Sequence, residues 1–88
     1  MLKLDMTADA LSFLESLPGK QFNQVVGKLF ALLENPEPHD SAALKGYPYR
    51  RADSGEYRIV YDIQADVLRV VLIGKRNDDA VYKRLARK

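Results

Sequence analysis

Between Leu33 and Tyr57 the hydrophobic pattern of this chain changes period. Before the change, Phe22, Val25, Val26, Leu29, Phe30 and Leu33 recur at offsets of three and four, the repeat of one helix face. After it, Tyr57, Ile59, Tyr61 and Ile63 alternate with Arg58, Val60 and Asp62, and Val67–Ile73 is almost continuously apolar, broken only by Arg69. These are strand patterns, so helices precede the main part of a sheet instead of alternating with its strands. That order describes an α+β fold in which an apolar helical face covers an antiparallel sheet.

Shorter signals fill in the rest. Leu2-Lys3-Leu4-Asp5-Met6 alternates as a half-buried strand does, and Thr7 offers a side-chain oxygen to cap a helix start. In that first helix Leu11, Leu14 and Leu17, with Phe13 beside them, form the apolar stripe, and Pro18-Gly19 stops it. The turn formers Asn35-Pro36-Glu37-Pro38-His39-Asp40 end the second helix, so residues 7–34 read as a helical hairpin. Tyr47 to Ala52 supplies the first strand of a meander, and the short junctions 53–56 and 64–66 make its pairing antiparallel. Asp78 to Ala86 forms a short terminal helix. The expected architecture is an N-terminal strand, a two-helix hairpin, a three-stranded antiparallel meander and a short C-terminal helix. The hairpin packs on one face of the sheet, and the other face stays open to solvent or ligand.

At 88 residues the chain has room for one domain, residues 1–88, and one modest core, because a chain this short buries only about 60% of its unfolded surface. It has no cysteine, which removes disulfides, thiol catalysis and Cys-containing zinc sites. No membrane-length apolar run occurs, and Met1 to Asp5 lacks a basic segment leading into one, so a cytoplasmic location is expected.

The net charge of +2 conceals two poles. Residues 1–44 hold three Lys or Arg against six Asp or Glu, a balance of −3, whereas residues 45–88 hold eleven against six, a balance of +5. A basic half on a near-neutral domain fits either a polyanion partner, whose counterions it would release, or solubilising surface charge. No metal-ligand cluster, Ser-His-Asp set or Gly-rich phosphate loop is visible, so Arg, Lys and Tyr are left to carry any chemistry. RNA permits this, because its own 2′-hydroxyl can attack the adjacent phosphate if a protein orients it and neutralises the developing charge.

Three motifs stand in order: Leu44-Lys45-Gly46, Gly55-Glu56-Tyr57-Arg58-Ile59-Val60-Tyr61, and Gly74-Lys75-Arg76 followed by Val81-Tyr82. Together they make the chain similar to the RelE/ParE superfamily of bacterial toxins. The resemblance implies a sheet with both N-terminal helices on one side, which agrees with the reading from periodicity. RelE members are ribosome-dependent endonucleases that cut messenger RNA in the decoding site. ParE members share the fold and inhibit DNA gyrase instead, and both kinds are silenced by a co-expressed antitoxin.

What the resemblance implies for residues is specific. Arg58 matches the Arg that contacts the scissile phosphate, where a planar guanidinium can grip two oxygens. Arg76 matches an Arg that stabilises transition-state charge, and Tyr82 a Tyr that stacks on a base and orients the nucleophile. Arg51 stands where RelE toxins place a basic residue. Since an Arg does not give up its proton, it is expected to act as an electrostatic stabiliser. The chain departs from the pattern at Tyr49, a position usually held by Lys; Arg50 is adjacent but one residue out of register, which turns it to the other face of the sheet. Lys45, Arg50, Lys75, Lys83, Arg84 and Arg87 are candidates for contacts with ribosomal RNA. His39 is expected to be structural or exposed, and Glu56, in a turn, to have no catalytic part.

The leading expectation is therefore a type II toxin that cleaves messenger RNA on the ribosome without metal or other cofactor. Its partners would be the ribosome, messenger RNA and a RelB-like antitoxin. The toxin alone would be a monomer, and its antitoxin complex a hetero-oligomer. A gyrase inhibitor without nuclease activity is the alternative, and an inactive antitoxin-binding scaffold is the third possibility.

Overall fold

The computed structural model describes residues 1–77 and 80–86. The elements run β1 (Lys3–Met6), α1 (Ala8–Glu15), α2 (Gly19–Glu34), β2 (Ser41–Ala43), β3 (Arg50–Ser54), β4 (Tyr57–Gln64), β5 (Val67–Lys75) and α3 (Ala80–Ala86). All five strands form one sheet in the order β1-β5-β4-β3-β2, with β1 parallel to β5 and every other pair antiparallel. The expected order of strand, helical hairpin, antiparallel meander and short terminal helix is the observed one. Asp78 and Asp79, the expected first residues of the terminal helix, lie outside the described residues, as does Arg87.

Thr7 starts α1 as its chemistry suggests: its hydroxyl oxygen accepts from the Ala10 N–H at 3.1 Å and its hydrogen is donated to the Val71 carbonyl at 2.7 Å. The hairpin buries Ala10, Leu14, Val25, Leu29, Leu32 and Leu33 against Ala52, Tyr57, Ile59, Tyr61, Leu68, Val70 and Ile73 of the sheet. Two expected core residues are not in it. Leu11 is 45% exposed and Phe30 58% exposed, while Ala10 and Leu32 are fully buried in their place. The reason is angular: at 3.6 residues per turn Phe30 stands about 100° round the helix from Leu29, beyond the strip that touches the sheet.

Strand β2 is an element beyond the expected ones. Ser41-Ala42-Ala43 has no β-branched or aromatic residue, so it carries no strand signal, yet it pairs with Ala52, Arg51 and Arg50 at the sheet edge. Strand β3 begins at Arg50, later than the expected Tyr47, because residues 44–49 turn back on themselves: the Leu44 N–H donates to the Tyr49 carbonyl at 2.8 Å and the Tyr47 N–H to the Leu44 carbonyl at 3.1 Å.

The face expected to be open is partly covered. Leu44, Val60, Val71 and Leu72 form a second buried cluster there with Val81 and Leu85 of α3, flanked by Tyr47, Tyr49 and Tyr82. A bulge in β5 makes this possible. Val60 pairs with Leu72 and Tyr61 with Val70, which leaves Val71 as the extra residue and puts Val71 and Leu72 together on the α3 side. The apolar stretch 70–73 of β5 reflects burial on both faces, which an alternating strand would not need.

Candidate active site

Strand alternation sorts the charged residues of β3 and β4. Ala52 and Ser54 face the hairpin, where Ala52 is in the core and the Ser54 hydroxyl donates to the Gln24 carbonyl, so Arg51 and Asp53 face the α3 side. The two-residue turn Gly55-Glu56 then sets Asp53 directly opposite Arg58. Gly55 adopts φ +59°, the left-handed conformation that favours glycine, and the flexible end of the Gln24 side chain packs over it. Arg76 follows β5, and its N–H donates to the Glu56 carbonyl at 2.9 Å, which ties it to the same turn. Helix α3, anchored by Val81 and Leu85, brings Tyr82 over this corner.

These placements converge on one carboxylate. Arg58 donates from Nε to Asp53 Oδ1 at 2.9 Å and from Nη2 to Oδ2 at 3.4 Å, and its Nη1 donates to the Tyr82 hydroxyl at 2.5 Å. Arg51 Nη1 and Arg76 Nη1 each lie 3.9 Å from Asp53 Oδ2, charge contacts too long to be hydrogen bonds. Hydrogen bonding to Asp53 holds the Arg58 guanidinium above its ordinary pKa, burial works against this, and Tyr82 adds to the raising. Exposure separates the roles: the Arg58 side chain is 15% exposed, whereas those of Arg51 and Arg76 are 32% and 47% exposed. Two open guanidiniums thus flank one that is held in place. The arrangement can neutralise an anion from several sides, and the Tyr82 hydroxyl, having accepted from Arg58, keeps its own hydrogen to donate.

The other candidate residues are dispersed. Arg50 lies on the hairpin side, where Nη2 donates to the Ser41 hydroxyl at 2.8 Å and Nη1 pairs with Glu37 at 3.3 Å, so it does not stand in for the Lys that Tyr49 replaces. Tyr49 itself packs beside the second cluster, on the same face as Arg51. Lys75 is in register with Tyr57 and shares its side of the sheet. Lys45 and Lys83 are exposed, on the link between β2 and β3 and on α3 respectively. Arg84 turns toward α1: it pairs with Asp9, donates to the Ile73 carbonyl at 3.1 Å, and stands 5.7 Å above the Phe13 ring. A cleft of about 380 Å³ lined by Asp9, Ser12, Phe13, Ser16 and Arg84 opens there, but its one cation is already engaged, so the cluster around Asp53 is the better site for an anion. Glu56 and His39 are exposed.

Asp53 is not among the residues that the sequence motifs single out. Its signal was present, since alternation from Arg51 and a two-residue turn suffice to place it across from Arg58.

A sequence model described as the ParE toxin of the type II toxin–antitoxin system parDE matches residues 4–80. The chain belongs to that family, within the RelE/ParE superfamily. It is accordingly a toxin of the type II toxin–antitoxin class. Its fold is also that of the isolated Escherichia coli RelE toxin, with a TM-score of 0.76 at 26% identity over 99% of this chain and 97% of the other. The intact E. coli RelBE toxin–antitoxin complex gives a TM-score of 0.75 at 28% identity, covering 85% of this chain and 96% of that one. The archaeal RelE–RelB complex from Pyrococcus horikoshii gives 0.74 at 22% identity, covering 85% and 94%, a likeness of fold. No curated protein sequence matches the chain significantly. Among the described residues no helix is long and apolar enough to cross a membrane.

Proposed function

We propose that this toxin is a ribosome-dependent endonuclease that stops translation by cutting messenger RNA in the decoding site. The observation that carries the reading is the meeting of Arg51, Arg58 and Arg76 at Asp53 with Tyr82 bonded to Arg58, three guanidiniums and a phenol gathered at one corner of the sheet. In the reaction the 2′-hydroxyl gives up its proton and attacks the adjacent phosphorus, a bond forms from the 2′-oxygen as the bond to the 5′-oxygen breaks, and the leaving 5′-oxygen takes up a proton. The products are a 2′,3′-cyclic phosphate and a 5′-hydroxyl. Arg58 grips the scissile phosphate, Arg51 and Arg76 offset the extra charge of the pentacoordinate state, and Tyr82 orients the attacking group or its base. This chemistry uses side chains alone and needs no cofactor. Lys45 and Lys83 contribute to holding ribosomal RNA, where their effect is on salt dependence.

The partner that silences the toxin is a RelB-like antitoxin, as in the E. coli and P. horikoshii complexes, forming a hetero-oligomer with a toxin that is monomeric when alone and acts in the cytoplasm. The test is to map the ends of a translated message with and without ribosomes: cuts that need ribosomes support the reading. A second reading, a gyrase inhibitor without nuclease activity, is favoured by one observation, the match to the ParE family model. Loss of DNA supercoiling with messages left intact would establish it in place of the first.

A further inference from the structure

Asp53 and Arg58 face each other one pair beyond a two-residue turn, so β3–β4 pairing fixes their backbones opposite one another. A guanidinium has five N–H groups, one on Nε and two on each terminal nitrogen. Asp53 takes the side-on pair, Nε at 2.9 Å and Nη2 at 3.4 Å, and the Tyr82 hydroxyl takes one hydrogen of Nη1 at 2.5 Å. Among the described residues, what remains unengaged is one N–H on Nη1 and one on Nη2. Neither Arg51 nor Arg76 is hydrogen-bonded to Asp53, each being 3.9 Å away, so the carboxylate orients Arg58 alone among the three.

We propose that Asp53 is a positioning residue: it locks Arg58 so that its remaining terminal N–H groups are held ready for an RNA phosphate and, through Arg58, aims the Tyr82 hydroxyl. This rests on the nuclease reading above. A charged donor stabilises a transition state most when it needs no reorganisation at the moment of reaction, and a bidentate carboxylate supplies that rigidity. Asp53 also keeps the corner from carrying three uncompensated cations before the anion arrives. A displaceable counter-ion would hold its arginines loosely, whereas the one hydrogen-bonded here is the least exposed of the three.

The experiment uses the full chain and two readouts. In ribosome-dependent cleavage, Asp53→Asn keeps one acceptor oxygen and replaces the other with an amide that cannot accept from Nη2. It is expected to lower kcat by about 10- to 100-fold, the range for removing a group that orients a catalytic residue, with KM little changed, and Asp53→Glu is expected to restore part of the rate. Independently, nitrogen-15 NMR of the Arg58 side chain should resolve Nη1 and Nη2 separately in the parent toxin, because bonds on both edges hinder rotation, and the two signals should merge in Asp53→Asn. Unchanged kcat, or faster cleavage at lower KM as for a competing anion, would overturn the proposal, as would Arg58 signals indifferent to the substitution. Should the parent toxin cleave nothing on ribosomes, the nuclease reading fails, and the NMR arm still decides whether Asp53 holds Arg58.

Discussion

Val81 of α3 lies directly on Gly74 of β5, so close that a Cβ built on the glycine would stand 2.3 Å from Val81 Cγ2. Gly74 is also the residue in register with Arg58. The glycine therefore sets how near α3 can approach the sheet, and with it how near the Tyr82 hydroxyl comes to the Arg58 guanidinium. Packing of one methyl group and geometry of the candidate site are the same fact seen from two sides.

Gly74→Ala should push α3 outward, cost about 1–3 kcal/mol through overpacking, and weaken growth arrest by parting Tyr82 from Arg58. Combining it with Val81→Ala removes the clashing methyl. Thermal melts and induced-expression growth curves should then show the double variant recovering relative to the sum of the singles, the non-additivity expected of residues in contact.

Thr7→Val keeps shape and removes the hydroxyl that both caps α1 and reaches the bulge at Val71. The expected loss is about 1–2 kcal/mol, read as a lower urea midpoint with an unchanged slope. A midpoint equal to that of the parent would mean that α1 starts as well without its cap.

The neighbours Leu29 and Phe30 should part company. Leu29→Ala opens a cavity in the hairpin core and is expected to cost about 2–5 kcal/mol, while Phe30→Ala, at a site 58% exposed, should stay within about 0.5 kcal/mol of the parent. Equal losses in chemical denaturation would contradict the helix orientation described above.

Arg58→Ala and Arg76→Ala are each expected to relieve growth arrest while circular dichroism and antitoxin binding stay intact. Removing a charged transition-state donor typically lowers a rate by about 100- to 1,000-fold. Undiminished toxicity in both variants would remove this corner of the sheet as the site.

Periodicity alone carries much of this molecule, because it reports a demand that each segment makes by itself. A helix such as α2 shows its buried strip at 3.6 residues per turn whatever covers it, and β4 shows alternation whichever way the sheet curls. The same alternation already commits Arg51 and Arg58 to one side, and the family motifs pick them out together with Arg76 and Tyr82. Nothing local marks β2, whose Ser-Ala-Ala owes its strand form to the partner β3. Nor does α3 announce its partner: Val81 and Leu85 find Val60, Val71 and Leu72 only after the bulge in β5 has turned two consecutive side chains to one face. Arg84 is bound to Asp9, seventy-five positions earlier in the chain, and so is diverted from a surface that its basic neighbours would have suggested. Such pairings arise where distant segments share a surface, and their energy depends on burial and charge that no single segment contains.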